Sequence, residues 1–214
     1  FGSAIALPGT SKGSHAIAVG DANGDGVLDI VVGKVVETDT AVNMLLIGDG
    51  SGGFNATDLP GGSSSTLAVA VADVNRDGNL DLILGNYGTA NQLLIGDGSG
   101  GFSATDLPGG SSGTQAIAVA DVNGDGKPDL IVGNSDAANQ LLIGDGSGGF
   151  NATDLPGASS STTAIAVADM NGDGKLDLIL GNSDAANQLL IGDGGGGFIS
   201  PVSLPGMSTG TYAI

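Results

Sequence analysis

Small and branched apolar residues alternate in Ala16-Ile17-Ala18-Val19, and the same beat returns from Ala68, Ala116 and Ala164. After each alternating run comes a nine-residue, Asp-rich stretch, then a continuous apolar run ending in glycine, such as Leu82-Ile83-Leu84-Gly85. A second apolar run follows (Leu93-Leu94-Ile95-Gly96), then a Gly-rich turn, then Phe102-Ser103-Ala104-Thr105. Period-two alternation marks a half-buried strand, and short continuous runs bounded by turn residues mark buried strands. In the first unit the pattern predicts strands over 16–20, 29–33, 44–47 and 54–59. No segment has the length or the period of a helix, which excludes a helical solenoid.

The Asp-rich stretches begin at 73, 121 and 169, a step of 48; the first begins at 21, and its unit carries four extra residues between Lys34 and Val42. Four strands per 48-residue unit is the pattern of a propeller blade. Neighbouring units are nearly identical, so each meets almost the same surroundings, as in a ring or a regular stack. The predicted fold is all-β: a β-propeller-type array in one repeat domain over 1–214. Blades are expected at 16–66, 67–115, 116–163 and 164–208. Residues 1–15 read as an outer strand and connector, and 209–214 as the start of a further inner strand.

The nine-residue stretches carry the candidate chemistry. Asp169-Met170-Asn171-Gly172-Asp173-Gly174-Lys175-Leu176-Asp177 sets oxygen-bearing side chains at positions one, three, five and nine, with glycine at six. Calcium takes six to eight oxygens, and a short loop wraps it only if the chain turns sharply midway. The carbonyl at position seven is a further candidate ligand. The candidate metal residues are therefore Asp21, Asn23, Asp25, Val27 and Asp29; Asp73, Asn75, Asp77, Asn79 and Asp81; Asp121, Asn123, Asp125, Lys127 and Asp129; and Asp169, Asn171, Asp173, Lys175 and Asp177. An EF-hand would need a glutamate at position twelve and flanking helices. Val32, Leu84, Val132 and Leu180 stand there, between strand-type runs. A bare acidic turn is the bland alternative, but it has no use for three mutually repelling carboxylates.

Asp-x-Asn-x-Asp-Gly-x-x-Asp between short strands, followed by a Gly-rich turn ending in Phe, resembles the FG-GAP/VCBS repeat family. The resemblance implies blades of a calcium-binding β-propeller of the integrin-head kind, with the same loop positions as ligands and about four Ca²⁺. Such propellers commonly close with seven blades; this chain carries four loops.

Composition narrows the function. Net charge is −18, with 23 acids against five Lys and Arg, and twelve of the acids lie at positions one, five and nine of the loops. Four Ca²⁺ would leave about −10, which still disfavours nucleic acid and anionic membranes. There is no cysteine, so disulfides and thiol chemistry are absent. Structural calcium sites of modest affinity fit the extracellular space better than the cytosol. The Gly-Asp-Gly-Ser-Gly-Gly-Phe turns have no following helix and no lysine to grip a phosphate, so they read as hairpin turns. His15 is the only histidine, and no serine or oxyanion hole is positioned beside it, so the chain is expected not to be an enzyme. A lectin usually offers an aromatic platform; here only Tyr87 and Tyr212 stand outside the repeated Phe positions and Phe1.

The expected function is a calcium-binding extracellular structural or adhesive repeat, self-associating through incomplete terminal blades into a ring or filament. A carbohydrate- or protein-ligand-binding propeller is the alternative. Its ligand face would lie opposite the calcium loops, with the long loop after Lys34 as the first place to look.

Overall fold

The computed structural model describes residues 6–9, 13–35, 42–62, 64–110, 113–157, 160–205 and 210–211. Within them lie four separate four-stranded antiparallel sheets and no helix. Blade 1 holds β1 (Ser14–Gly20), β2 (Asp29–Lys34), β3 (Met44–Gly48) and β4 (Phe54–Asp58). Blade 2 holds β5 (Ser65–Ala72), β6 (Asp81–Tyr87), β7 (Gln92–Gly96) and β8 (Phe102–Asp106). Blade 3 holds β9 (Thr114–Ala120), β10 (Asp129–Asn134), β11 (Gln140–Gly144) and β12 (Phe150–Asp154). Blade 4 holds β13 (Thr162–Ala168), β14 (Asp177–Asn182), β15 (Gln188–Leu190) and β16 (Val202–Ser203). Strand order in each sheet follows the chain. The inner strands β1, β5, β9 and β13 lie side by side from blade to blade.

The predicted strands are present, with inner strands that start two residues earlier than the alternation suggests. The outer edge of blade 4 departs most. Its expected strand near 198–204 is reduced to Val202–Ser203 plus a bridge between Gly192 and Phe198, because Pro201 has no N–H to give to a ladder. Residues 1–5 of the expected first outer strand, 36–41 of the long loop and 212–214 of the further inner strand lie outside the described residues. Gly210 and Thr211 do lie where that inner strand would begin, donating to Ser183 O (3.0 Å) and Asn182 O (3.2 Å) of blade 4.

The core sits between blades. Val31 and Leu45 of blade 1 pack with Leu82, Leu84 and Leu94 of blade 2, and equivalent clusters join blades 2 and 3, and 3 and 4. Phe102, Phe150 and Phe198 flank these clusters. Glycine sets the approach distance. A Cβ on Gly85 would stand 2.7 Å from Thr114 Cγ2 and 3.0 Å from Ile117 Cδ1 of the next blade, with Gly33 and Gly133 in the same role.

Candidate metal centres and the contacts around them

Each Asp-rich loop closes on its own backbone. Asp121 accepts the N–H of Asp125 on Oδ1 (3.1 Å) and of Gly126 on Oδ2 (2.7 Å). Asn123 Oδ1 accepts the same Asp125 N–H (3.0 Å), and Asp125 Oδ1 accepts the N–H of Lys127 (2.9 Å). The side-chain oxygens of positions one and three therefore meet on one donor, beside the carboxylate of position five. Asp21, Asn23 and Asp25 repeat this with Gly26 and Val27. Asp73, Asn75 and Asp77 do so with Gly78 and Asn79, and Asp169, Asn171 and Asp173 with Gly174 and Lys175. The position-six glycines adopt φ of 82–89°, the turn the spacing called for. At position four of the second loop Arg76 takes φ 63°, where the other loops have glycine.

Position nine is different. Asp29, Asp81, Asp129 and Asp177 are fully buried. Asp81 accepts Val74 N–H on Oδ2 and Gly96 N–H on Oδ1, both at 2.9 Å, tying the start of the loop to the end of the third strand. The other three repeat the clasp. Because this carboxylate is turned to the base of the loop, no cluster of three or more His, Cys, Asp or Glu side chains at metal-holding distance occurs among the described residues. The structure thus gathers positions one, three and five and sets position nine beneath them, with further lone pairs on each oxygen.

The electrostatics suit a cation. N–H donors lower the carboxyl values at the rim: the Asn79 N–H for Asp77, the Lys127 N–H for Asp125 and the Gly174 N–H for Asp169. Asp81 and Asp129 are raised, first by burial and then by the negative charge of Asp77 in one loop and of Asp125 and Asp121 in the other. Ionised hard oxygens that repel one another across a loop fit calcium, the ion inferred from spacing. In the third loop Lys127 Nζ lies 3.3 Å from Asp125 Oδ2, a weak and exposed internal counterion.

A second polar system, buried and absent from the sequence expectations, joins the blades. Asn43 Nδ2 of blade 1 donates to Thr66 Oγ1 of blade 2 (2.9 Å), which donates to Asn86 Oδ1 (2.7 Å). Asn139, Thr162 and Asn182 repeat the relay between blades 3 and 4 at 2.9 and 2.8 Å. The signal in the sequence is an asparagine ending or flanking an apolar run in every unit, together with the threonine that opens β9 and β13 and stands second in β5.

The bulges at the start of the inner strands leave His15, Leu67, Gln115 and Thr163 out of register. These four side chains line one pocket of about 460 Å³. His15, expected in a loop, lies within β1 and is exposed, its Nδ1 3.4 Å from Leu67 O.

The FG-GAP-like repeat matches the chain over residues 73–132, 121–180 and 169–214. The chain belongs to the FG-GAP-like repeat family. Each match begins at the first residue of an Asp loop, and the first two run through the following three strands, the next inner strand and the next Asp loop. A comparison with curated proteins gives no match. Among solved structures the chain is similar to BBS1N, crystallised in complex with ARL6DN and soaked with lead. The TM-score is 0.61 at 14% identity, over 91% of this chain and 58% of that one. It is also similar to the biofilm matrix protein Bap1 of V. cholerae, with a TM-score of 0.53 at 20% identity, over 88% of this chain and 30% of that one. The chain therefore spans little more than half of the first and under a third of the second, and what it shares with them is the fold.

Proposed function

We propose that this FG-GAP-like chain is a calcium-stabilised, non-enzymatic repeat module of the extracellular space, serving a structural or adhesive role. The observation that carries the proposal is the convergence, in all four loops, of the carboxylates of positions one and five and the neutral amide oxygen of position three above a buried carboxylate at position nine. Positions one, three, five and nine and the position-seven carbonyl would hold the ion. Calcium would supply charge neutralisation there, and no bond is made or broken. Each ion would fasten the loop joining the first two strands of a blade, whose base is already clasped to the third strand. Membership of the FG-GAP-like repeats and the fold shared with a biofilm matrix protein support an extracellular, adhesive setting. Self-association is the second part of the proposal.

The test is calorimetric unfolding in calcium and in chelator. A site held at 100 times its dissociation constant adds about 2.7 kcal/mol, so several sites raise the midpoint by well over 10 °C. Equal midpoints would refute the calcium role.

One observation favours the ligand-binding alternative. The only position of the inner strand that differs in all four blades is the bulged one, and those four residues share a pocket. A bulge re-aims a side chain, and bulges gather beside functional sites. With its histidine, glutamine, threonine and leucine the pocket suits a small neutral polar molecule. Chemical-shift changes confined to His15 and Gln115 during a screen of neutral saccharides would favour this second proposal over a purely structural role.

A further inference from the structure

The blade–blade interface has two sides, and the described residues leave one of each open. The front of blades 2, 3 and 4 packs on the blade before it: Val69 and Val71 onto blade 1, Ile117 and Val119 onto blade 2, Ile165, Val167 and Leu176 onto blade 3. The same front on blade 1 is uncovered. Ile17 is 61% exposed, Val19 55% and Leu28 63%.

The back is the complementary side, covered in blades 1 to 3 by the next blade. Position two of the calcium loop lies on it, and Ala22, Val74 and Val122 are 1–3% exposed. Met170, their counterpart in blade 4, is 52% exposed. The back of blade 4 is also more apolar than its siblings. Ile199 stands where blade 3 has Asn151, and Val202 pairs with Leu189 as Thr153 pairs with Leu141. Both are 55% exposed, and since Asn151 and Thr153 stay exposed where blade 4 covers blade 3, these two lie on the rim of the back and Met170 at its centre. Of the seven large apolar side chains exposed among the described residues, only Tyr87 lies off these two faces. Exposed apolar residues gathered on two faces, rather than scattered, mark an interaction surface.

We propose that the front of blade 1 in one copy packs onto the back of blade 4 in a second copy, head to tail, reproducing the interface that joins blades 1 to 4 within the chain. The chain itself contains what fits the open back three times over, because three internal fronts already cover three equivalent backs. The turn between the third and fourth strands completes the fit. In the internal interfaces it reaches the calcium loop of the preceding blade: a Cβ on Gly100 would stand 3.5 Å from Asn23 Cβ, and one on Gly196 3.6 Å from Asn123 Cβ. The second copy's turn at Gly52 would meet Asn171 in the same way and brace the fourth loop. Gly210 and Thr211 occupy the far end of the back, at the place Ser14 would take, and give way on docking. Thr211 is held there by its N–H on Asn182 O and by the Thr163 hydroxyl on its carbonyl, bonds that docking must break, while its own buried hydroxyl has no partner where Thr66, Thr114 and Thr162 give theirs to asparagine. Such a contact is heterologous, so it closes into a ring or extends as a filament.

The inference rests on the self-association part of the proposed function and not on calcium. It is tested by sedimentation velocity on the 214-residue chain in 0.5 M NaCl, where self-repulsion of the −18 charge is screened, once with calcium and once with chelator. The wild type should show a mass rising with concentration above 20.5 kDa. Val19→Asp spoils only the front and Met170→Asp only the back, at a loop position whose side chain is not among the candidate ligands. Each should require at least about tenfold higher concentration to associate. Their equimolar mixture should give a discrete heterodimer, because each variant keeps the face the other lacks. Heterodimer formation also shows that both variants are folded. A wild type that stays monomeric at every concentration overturns the proposal and leaves closure within one chain. Association that neither variant weakens, or a mixture that stays monomeric, overturns head-to-tail docking while leaving self-association standing. Association that follows this pattern in chelator as in calcium upholds it even if no calcium binds.

Discussion

Replacing Thr162 by valine tests the buried relay between blades 3 and 4. Thr162 is fully buried; its Oγ1 accepts from Asn139 Nδ2 at 2.9 Å and donates to Asn182 Oδ1 at 2.8 Å. Valine keeps the methyl group that fills the space above Gly133, where a Cβ would stand only 2.9 Å from Thr162 Cγ2. The change therefore removes hydrogen bonding with little loss of packing. Asn139 still accepts the Asn134 N–H and Asn182 still donates to Ala186 O, so one donor and one acceptor are stranded. A stranded buried group costs about 1–3 kcal/mol, which gives roughly 2–6 kcal/mol for the pair. At this chain length that is a fall in melting temperature on the order of 10 °C. Thr162→Ser keeps the hydroxyl and loses one methyl, for about 1 kcal/mol. Calorimetry on the three proteins orders them wild type, serine, valine. A valine variant within about 0.5 kcal/mol of wild type would refute the claim that the relay holds the blades together.

Gly85→Ala should cost about 1–3 kcal/mol by overpacking, since the new methyl meets Thr114 and Ile117 of blade 3; urea unfolding measures it, and an unchanged midpoint would contradict the close approach. Asp97 is held below its ordinary 3.8, first by the Ser99 N–H, then by the Ser99 hydroxyl and the Gly101 N–H, and Asp49 and Asp145 are held in the same way. A carboxyl lowered by folding contributes stability that is complete above 3.8 and disappears as pH falls through the lowered folded value. In chelator, wild type should therefore lose stability more steeply below pH 3.8 than Asp97→Asn does, and parallel curves from acid titration of the melting temperature would contradict this.

The blades were legible because each strand announces itself by a local pattern: alternation in β5, a continuous Leu-Ile-Leu run in β6, a glycine turn before β8. The closed shape of the loops was legible for the same reason, since nine adjacent residues carry the whole Asp-x-Asn-x-Asp-Gly-x-x-Asp spacing. What joins one blade to the next was not. Asn139 and Thr162 are 23 residues apart, and nothing local in either says that they touch. The second task of Asp81 was hidden likewise, because Gly96, which it holds through a buried N–H, lies 15 residues on. The repeat alone implies a full fourth strand in blade 4, but β16 is short because Pro201 has no N–H to give to the ladder that the other units complete. The two open faces became visible only when the same residue could be compared between blades, as Met170 with Val122.

The central claim is that the four Asp loops bind calcium, and the most direct test is isothermal titration of the chelator-stripped chain with CaCl₂. Heat saturating near four ions per chain is expected, falling to near three for Asp73→Asn/Asp77→Asn, a pair that removes two rim carboxylates and leaves the Asp81 clasp in place. No heat in the wild type, or a double variant that binds as many ions as wild type, would contradict the account.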